Sequence, residues 1–237
     1  LKPSGFAVMR DNETVGSRYL NFGESGGGHT HGDLLDFNIW AFGEPMIEEV
    51  GRFDTYDHPL NPFFKSPEAH NQIVLDSLSM DRHSSEGQDI RWHSLPELDY
   101  FSGWHDAFRA PGVLWPLHME KIARIHRHVL FVRNAYWLFY DIVEPIDGSA
   151  DSASTIFSIS SYLHSPWPFQ MMGPRKAKIS GNSAGSVIAF APNEFLRRLE
   201  SGVDIAKEDV TAPRLYDERH FLRARAWGAT GYQGNIS

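Results

Sequence analysis

Gly26-Gly27-Gly28-His29-Thr30-His31-Gly32-Asp33-Leu34-Leu35-Asp36-Phe37 is the stretch from which the rest of the chain is read. Side chains alternate along an extended backbone, so two histidines two apart on a strand face the same side, a geometry suited to a metal or a catalytic pair. Three glycines give a flexible approach, and Leu34, Leu35, Phe37, Ile39, Trp40 and Phe42 read as a core strand from Leu34 to Phe42. An isolated His-x-His is more often a solvated or hydrogen-bonded pair than a ligand set, so other residues must decide its role.

Working outward, Gly5 to Leu20 reads as two strands joined by the polar turn Asp11-Asn12-Glu13-Thr14. After the core strand, Gly43-Glu44-Pro45 breaks the pattern and Met46 to Val50 reads as a return strand. Gly51 to Ala69 is irregular and rich in Pro, Asp and aromatics, a loop long enough to be functional; Ile73, Val74 and Leu75 follow as a strand. A second long connection is expected from Asp81 to about Pro116. Its Trp92, Trp104 and Trp115 could stack on sugar rings or fill a satellite core.

Ile125–Val132 and Tyr136–Val143 form an expected hairpin across Arg133-Asn134-Ala135. His126 and His128 repeat the two-apart spacing, but no carboxylate follows immediately, and they read as structural. Short strands continue through Thr155–Ile159, Ala177–Ile179 and Ser186–Phe190, with one short helix expected over Asn193–Glu200, capped by Asn193. The fold class expected is all-β: one large antiparallel β-sandwich over residues 1–237, with long functional loops and at most one short helix.

The chain has 237 residues, 22 Lys and Arg against 30 Asp and Glu, a formal net charge of -8, and no cysteine. An acidic balance argues against nucleic acid as partner, because phosphate binding needs a concentrated basic surface. No apolar run is long enough to cross a bilayer. Without thiolates, any metal must be held by His and carboxylate. The chain begins Leu-Lys-Pro, so either a leader has been removed or it is part of a longer protein.

Two motifs compete for the histidine pair. Gly23, His29, His31, Asp36 and Gly43 have the spacing of half a cupin motif, with Asp36 where a cupin carries Glu and without the second element. That reading gives a cupin-like metal-dependent oxygenase or isomerase. A longer ordered set comprises Gly5-Phe-Ala-Val-Met-Arg10, the stretch from His29 through His31, Asp33 and Leu35 to Phe37, Met46-Ile-Glu-Glu49-Val-Gly51, Tyr56, Ala69-His70-Asn71 and Tyr136-Trp-Leu-Phe-Tyr-Asp141. It resembles the C-terminal β-sandwich of heparinase II/III-like polysaccharide lyases.

The resemblance implies an α/α toroid ahead of the sandwich in the same longer protein, with the substrate cleft between them. It assigns His29 to the substrate face and His31, Glu49 and His70 to a metal, usually zinc; the family commonly has Asp where Glu49 stands. Two imidazoles, one carboxylate and an open position suit zinc near neutral pH. Asp33 reads as a turn residue or as a group that orients the histidine pair.

The implied reaction is β-elimination on a uronic-acid polysaccharide of alginate or glycosaminoglycan type. Tyr56 is either a loop tyrosine beside the catalytic centre or a packing aromatic. The family's principal tyrosine and carboxylate-binding residue belong to the toroid, so the isolated chain is expected to be weak or inactive. A periplasmic or secreted location follows from the resemblance alone. A third reading is a non-catalytic carbohydrate-binding module built on the tryptophans.

Overall fold

Burial alternates along the first strand, although Phe6 and Val8 on its open side are apolar too. In the computed structural model, which describes residues 5–10, 16–21, 30–51, 57, 59–75, 78–81, 86–111, 119–146, 156–182, 185–189, 196–205 and 219–229, β1 (Phe6–Arg10) sends Ala7 and Met9 inward. It pairs antiparallel with β2 (Gly16–Asn21), β2 with β3 (Phe37–Ala41), and β3 with β4 (Glu44–Ile47). Phe42 and Gly43, with φ of 58° and 80°, make the two-residue turn between β3 and β4, the left-handed pair that matches strand twist.

The core strand is therefore shorter than its apolar run. Leu34 and Leu35 lie in a turn closed by the Asp36 N–H donating to the Asp33 carbonyl at 3.1 Å, and Leu35 has φ 62°. The turn sends Leu35 into the apolar cluster of β1, β3 and β4, and Leu34 into a second cluster around Ile73–Leu75. Burying each leucine contributes about 1.5–3 kcal/mol, against about 1–2 kcal/mol for one left-handed residue, so burial wins. The return strand likewise stops at Ile47, which leaves Glu48, Glu49 and Val50 outside the ladder.

A four-residue helix α1 (Asn61–Phe64) and a 3-10 turn (Pro67–Ala69) lead into β5 (Ile73–Leu75) and β6 (Ser79–Met80). The expected connection from Asp81 to Pro116 contains three strands instead: β7 (Gln88–Ser94), β8 (Leu98–His105) and β9 (Phe108–Pro111), followed by β10 (Met119–Lys121). The hairpin of β11 (Ala123–Val132) and β12 (Tyr136–Pro145) turns through Asn134 at φ 58°. Beyond it come β13 (Ile156–Ser165), β14 (Phe169–Gly173), β15 (Lys176–Ser180), β16 (Gly185–Ala189), β17 (Leu196–Ile205) and β18 (Arg219–Ala229).

The helix expected over Asn193–Glu200 is corrected: from Leu196 onward this segment is β17, and Asn193 lies outside the described residues. An eight-residue helix is marginal by itself. As a strand, the segment packs Leu199 against the core and brings Glu200 opposite Arg223.

The sheet β1-β2-β3-β4 faces the sheet β12-β11-β8-β7 across a core that includes Met9, Phe37, Phe101, Val129 and Phe131. Every described strand pair is antiparallel, and β11 alternates buried and half-open along its whole length. This is the expected all-β sandwich. Among the described residues no helix is long and apolar enough to cross a membrane.

Candidate metal centre

Three separate segments end beside one another at the rim of the two sheets. The Leu34–Leu35 turn delivers Asp36, the early end of β4 releases Glu49, and the 3-10 turn is capped by His70. Backbone bonds hold them together. Val50 N–H donates to the Ala69 carbonyl at 3.4 Å, Gly32 N–H to the Lys65 carbonyl at 3.0 Å, and Glu49 N–H to Asn38 Oδ1 at 2.9 Å. Gly32 admits this approach because a Cβ there would meet the Pro67 nitrogen at 3.2 Å and the Met80 sulfur at 3.3 Å.

Asp36, Glu49 and His70 each offer a ligand atom, and these atoms lie within 4.8 Å of one another. His70 Nδ1 is 2.7 Å from Glu49 Oε2, and the imidazole is wholly buried. Its Nε2 is buried with no hydrogen-bond partner. Asp36 is 2% exposed and accepts the Asn71 N–H on Oδ1 at 2.7 Å.

The charges of the trio are interlocked. Burial lifts the Asp36 carboxyl well above its ordinary range, and the Glu49 charge adds to this. Burial also acts upward on Glu49, but the His70 hydrogen bond and charge prevail and lower it. Burial acts downward on His70, and the Glu49 bond with the neighbouring carboxylates reverses it, raising the imidazole to about 9. Two acidic groups and one imidazole thus share a site in which a divalent cation could displace the proton held on His70.

Neighbouring residues fix the trio. Asn71 Nδ2 donates to the Phe37 carbonyl at 2.8 Å, and its Oδ1 accepts the His164 N–H at 2.6 Å. Gln72 Nε2 donates to the carbonyls of Gly32 and Pro67.

Of the residues singled out from the sequence, Glu49 and His70 are brought into contact. His31 stands beside them, outside any strand, its ring centroid 5.4 Å from that of His70 and tilted by 48°. His29 and Tyr56 lie outside the described residues. Asp36, which the sequence offered only to the cupin motif, joins Glu49 and His70. The signal that could have found it is the buried acid placed directly after two leucines and before a core strand.

Trp92 and Trp104 share no platform. Trp92 packs on the core beside Phe101, whereas Trp104 pairs with His126 on the opposite face with Arg124 5.4 Å from its ring. Trp115 lies outside the described residues. His126 and His128 are engaged with Glu144 at 3.1 Å and the Tyr100 hydroxyl at 2.7 Å.

Heparan sulfate lyase HepC from Pedobacter heparinus superposes with a TM-score of 0.70 at 13% identity, over 98% of this chain and 34% of that one. A heparinase III gene product gives 0.73 at 16% identity, over 100% of this chain and 34% of that one. Another heparinase III gives 0.69 at 12% identity, over 96% and 34%. At such identities the likeness speaks for the fold, and the chain spans about a third of the length of these solved chains. A search of curated proteins gives no match. A family model described as heparinase II/III-like, C-terminal, matches residues 1–214, nearly the whole chain. The chain therefore belongs to the heparinase II/III-like C-terminal family.

Proposed function

We propose that residues 1–237 are the metal-binding β-sandwich domain of a polysaccharide lyase that cleaves uronic-acid chains, of alginate or glycosaminoglycan type, by β-elimination. The observation that carries this reading is the convergence of Glu49 and His70 from distant segments, beside Asp36 and His31, in a chain of this family. The orphaned Nε2 of His70, the buried Asp36 carboxyl and the half-buried Glu49 carboxylate fit a cation.

Glu49, His70 and His31 are the proposed ligands, with the Asp36 carboxyl alongside. Imidazole and carboxylate donors without thiolate suit zinc. A bound ion supplies a cross-link among three backbone segments and a fixed local positive charge. The role is structural: it holds the segment that carries Tyr56 against the one that carries His29.

In β-elimination the C5 proton leaves only when the neighbouring carboxylate is neutralised, and O4 departs with a proton from a general acid. His29 is proposed to neutralise that carboxylate or to take the C5 proton, and Tyr56 to position substrate or stabilise charge beside it. The remaining groups are assigned to an α/α toroid in the same longer protein, which works in the periplasm or outside the cell. The chain alone is then weak or inactive.

Metal analysis of the purified chain tests the reading. About one zinc per chain, lost in Glu49→Gln, is expected. A wild-type chain that takes up no divalent metal overturns the metal centre. Full-rate formation of unsaturated uronate by the chain alone, followed by its ultraviolet absorbance, overturns the incomplete cleft.

A further inference from the structure

Arg127 lies on β11, deep between the sheets, and is 3% exposed. Its Nε and Nη2 grip Asp141 at 2.7 and 2.8 Å, a bidentate pair. Nη1 faces away from Asp141 and donates to the Leu35 carbonyl at 2.7 Å and the Asn71 carbonyl at 2.8 Å. Phe37 and Phe139 flank the guanidinium at 5.1 and 5.8 Å.

Leu35 immediately precedes Asp36, and Asn71 immediately follows His70. A guanidinium presents its donors in a rigid plane, so two carbonyls bound to one nitrogen are held at a set separation. The Asn71 N–H closes the circuit on Asp36 Oδ1. A buried ion pair kept for stability alone is often replaceable by apolar side chains at little cost. Here the donors left over from Asp141 are aimed at the backbone of two site segments that are 35 residues apart.

We propose that Arg127, anchored by Asp141, is a positioning residue of the metal centre: it sets the spacing of the Asp36 and His70 segments and so tunes cation affinity without touching the ion. This rests on the metal reading above. Groups that orient ligands in this way change metal affinity by about 10–100-fold when altered.

The test titrates the EDTA-stripped 237-residue chain with zinc against a competing chelator, and records the visible spectrum with cobalt(II) in its place. Arg127→Lys keeps the charge and loses the fork; it is expected to weaken zinc by about tenfold or more and to shift the cobalt bands. Asp141→Asn is expected to weaken zinc less, and carries the test where Arg127→Lys does not fold. Val129→Ala, two residues along the same strand and wholly buried, is the control: it lowers stability and leaves zinc affinity within about twofold.

A folded Arg127→Lys or Asp141→Asn with wild-type zinc affinity and cobalt spectrum overturns the proposal. So does Val129→Ala weakening zinc as much as they do. Where wild type binds zinc and Glu49→Gln abolishes it, such a result overturns the positioning role alone. Where wild type binds none, both readings fall.

Discussion

His70 and His105 are both wholly buried imidazoles, and they are driven in opposite directions. His70 is raised to about 9, while His105 is lowered to about 3. Burial acts downward on both. Beside His70 stand the carboxylates of Glu49 and Asp36; beside His105 the Arg127 guanidinium adds to the effect of burial, and its Nδ1 accepts the Ala107 N–H at 3.2 Å. One residue type, equally buried, is charged at the rim and neutral in the core because of what its neighbours carry.

The largest expected effect breaks the first half of this contrast. Glu49→Gln removes the partner of His70, so zinc binding is expected to fall by about a hundredfold or more, measured by chelator competition. In the metal-free chain His70 is expected to titrate far below 9, followed by its ring proton resonances. Glu49 is a third open to water, so the accompanying loss of stability is expected to be about 1–2 kcal/mol in urea unfolding.

Both imidazoles are expected to make stability depend on pH. His70, raised when folded, contributes stability that is complete below about 6.5 and is lost as pH rises from there through about 9. His105, lowered when folded, stays neutral while the unfolded chain takes up a proton, so stability falls as pH drops from about 6.5 towards 3. Each slope is at most about 1.4 kcal/mol per pH unit. Urea unfolding of metal-free wild type and His105→Asn across pH is expected to show the acid-side slope reduced in the variant. Equal slopes would remove His105 from the account.

The ion itself is expected to act on stability. Zinc at a hundred times its dissociation constant is expected to add about 2.7 kcal/mol, reversed by EDTA, and to release protons in unbuffered solution as His70 gives its proton up. The smallest effect separates the two His-x-His stretches. Glu144→Gln takes the partner from His126 on an exposed face, and is expected to change stability by less than about 1 kcal/mol and zinc binding not at all. A loss of zinc in that variant would put a second site on β11.

Much of the fold was legible in the sequence where one face of a strand is buried. Residues 6–10 and the pair β11–β12 are rich in β-branched and aromatic residues next to polar turn residues, and their hairpins form as expected. β7 escaped although Ile90 and Trp92 alternate with Asp89, Arg91 and His93, because two apolar residues make too short a period to stand out. Leu34 and Leu35 misled in the other sense. Two adjacent leucines read as strand, yet they serve two cores from one turn.

The ordered set of motifs along the sequence pointed, by resemblance, to a β-sandwich of the heparinase II/III-like C-terminal family, and that resemblance put Glu49 and His70 among the residues to watch. Which carboxylate stands with them was decided only by tertiary structure. Asp36 meets Glu49 and His70 because a turn, a prematurely ended strand and a 3-10 cap converge, and Arg127 on a distant strand ties two of those segments through their carbonyls. Such backbone contacts depend on distance and direction in space, and no residue type in the chain encodes them by itself.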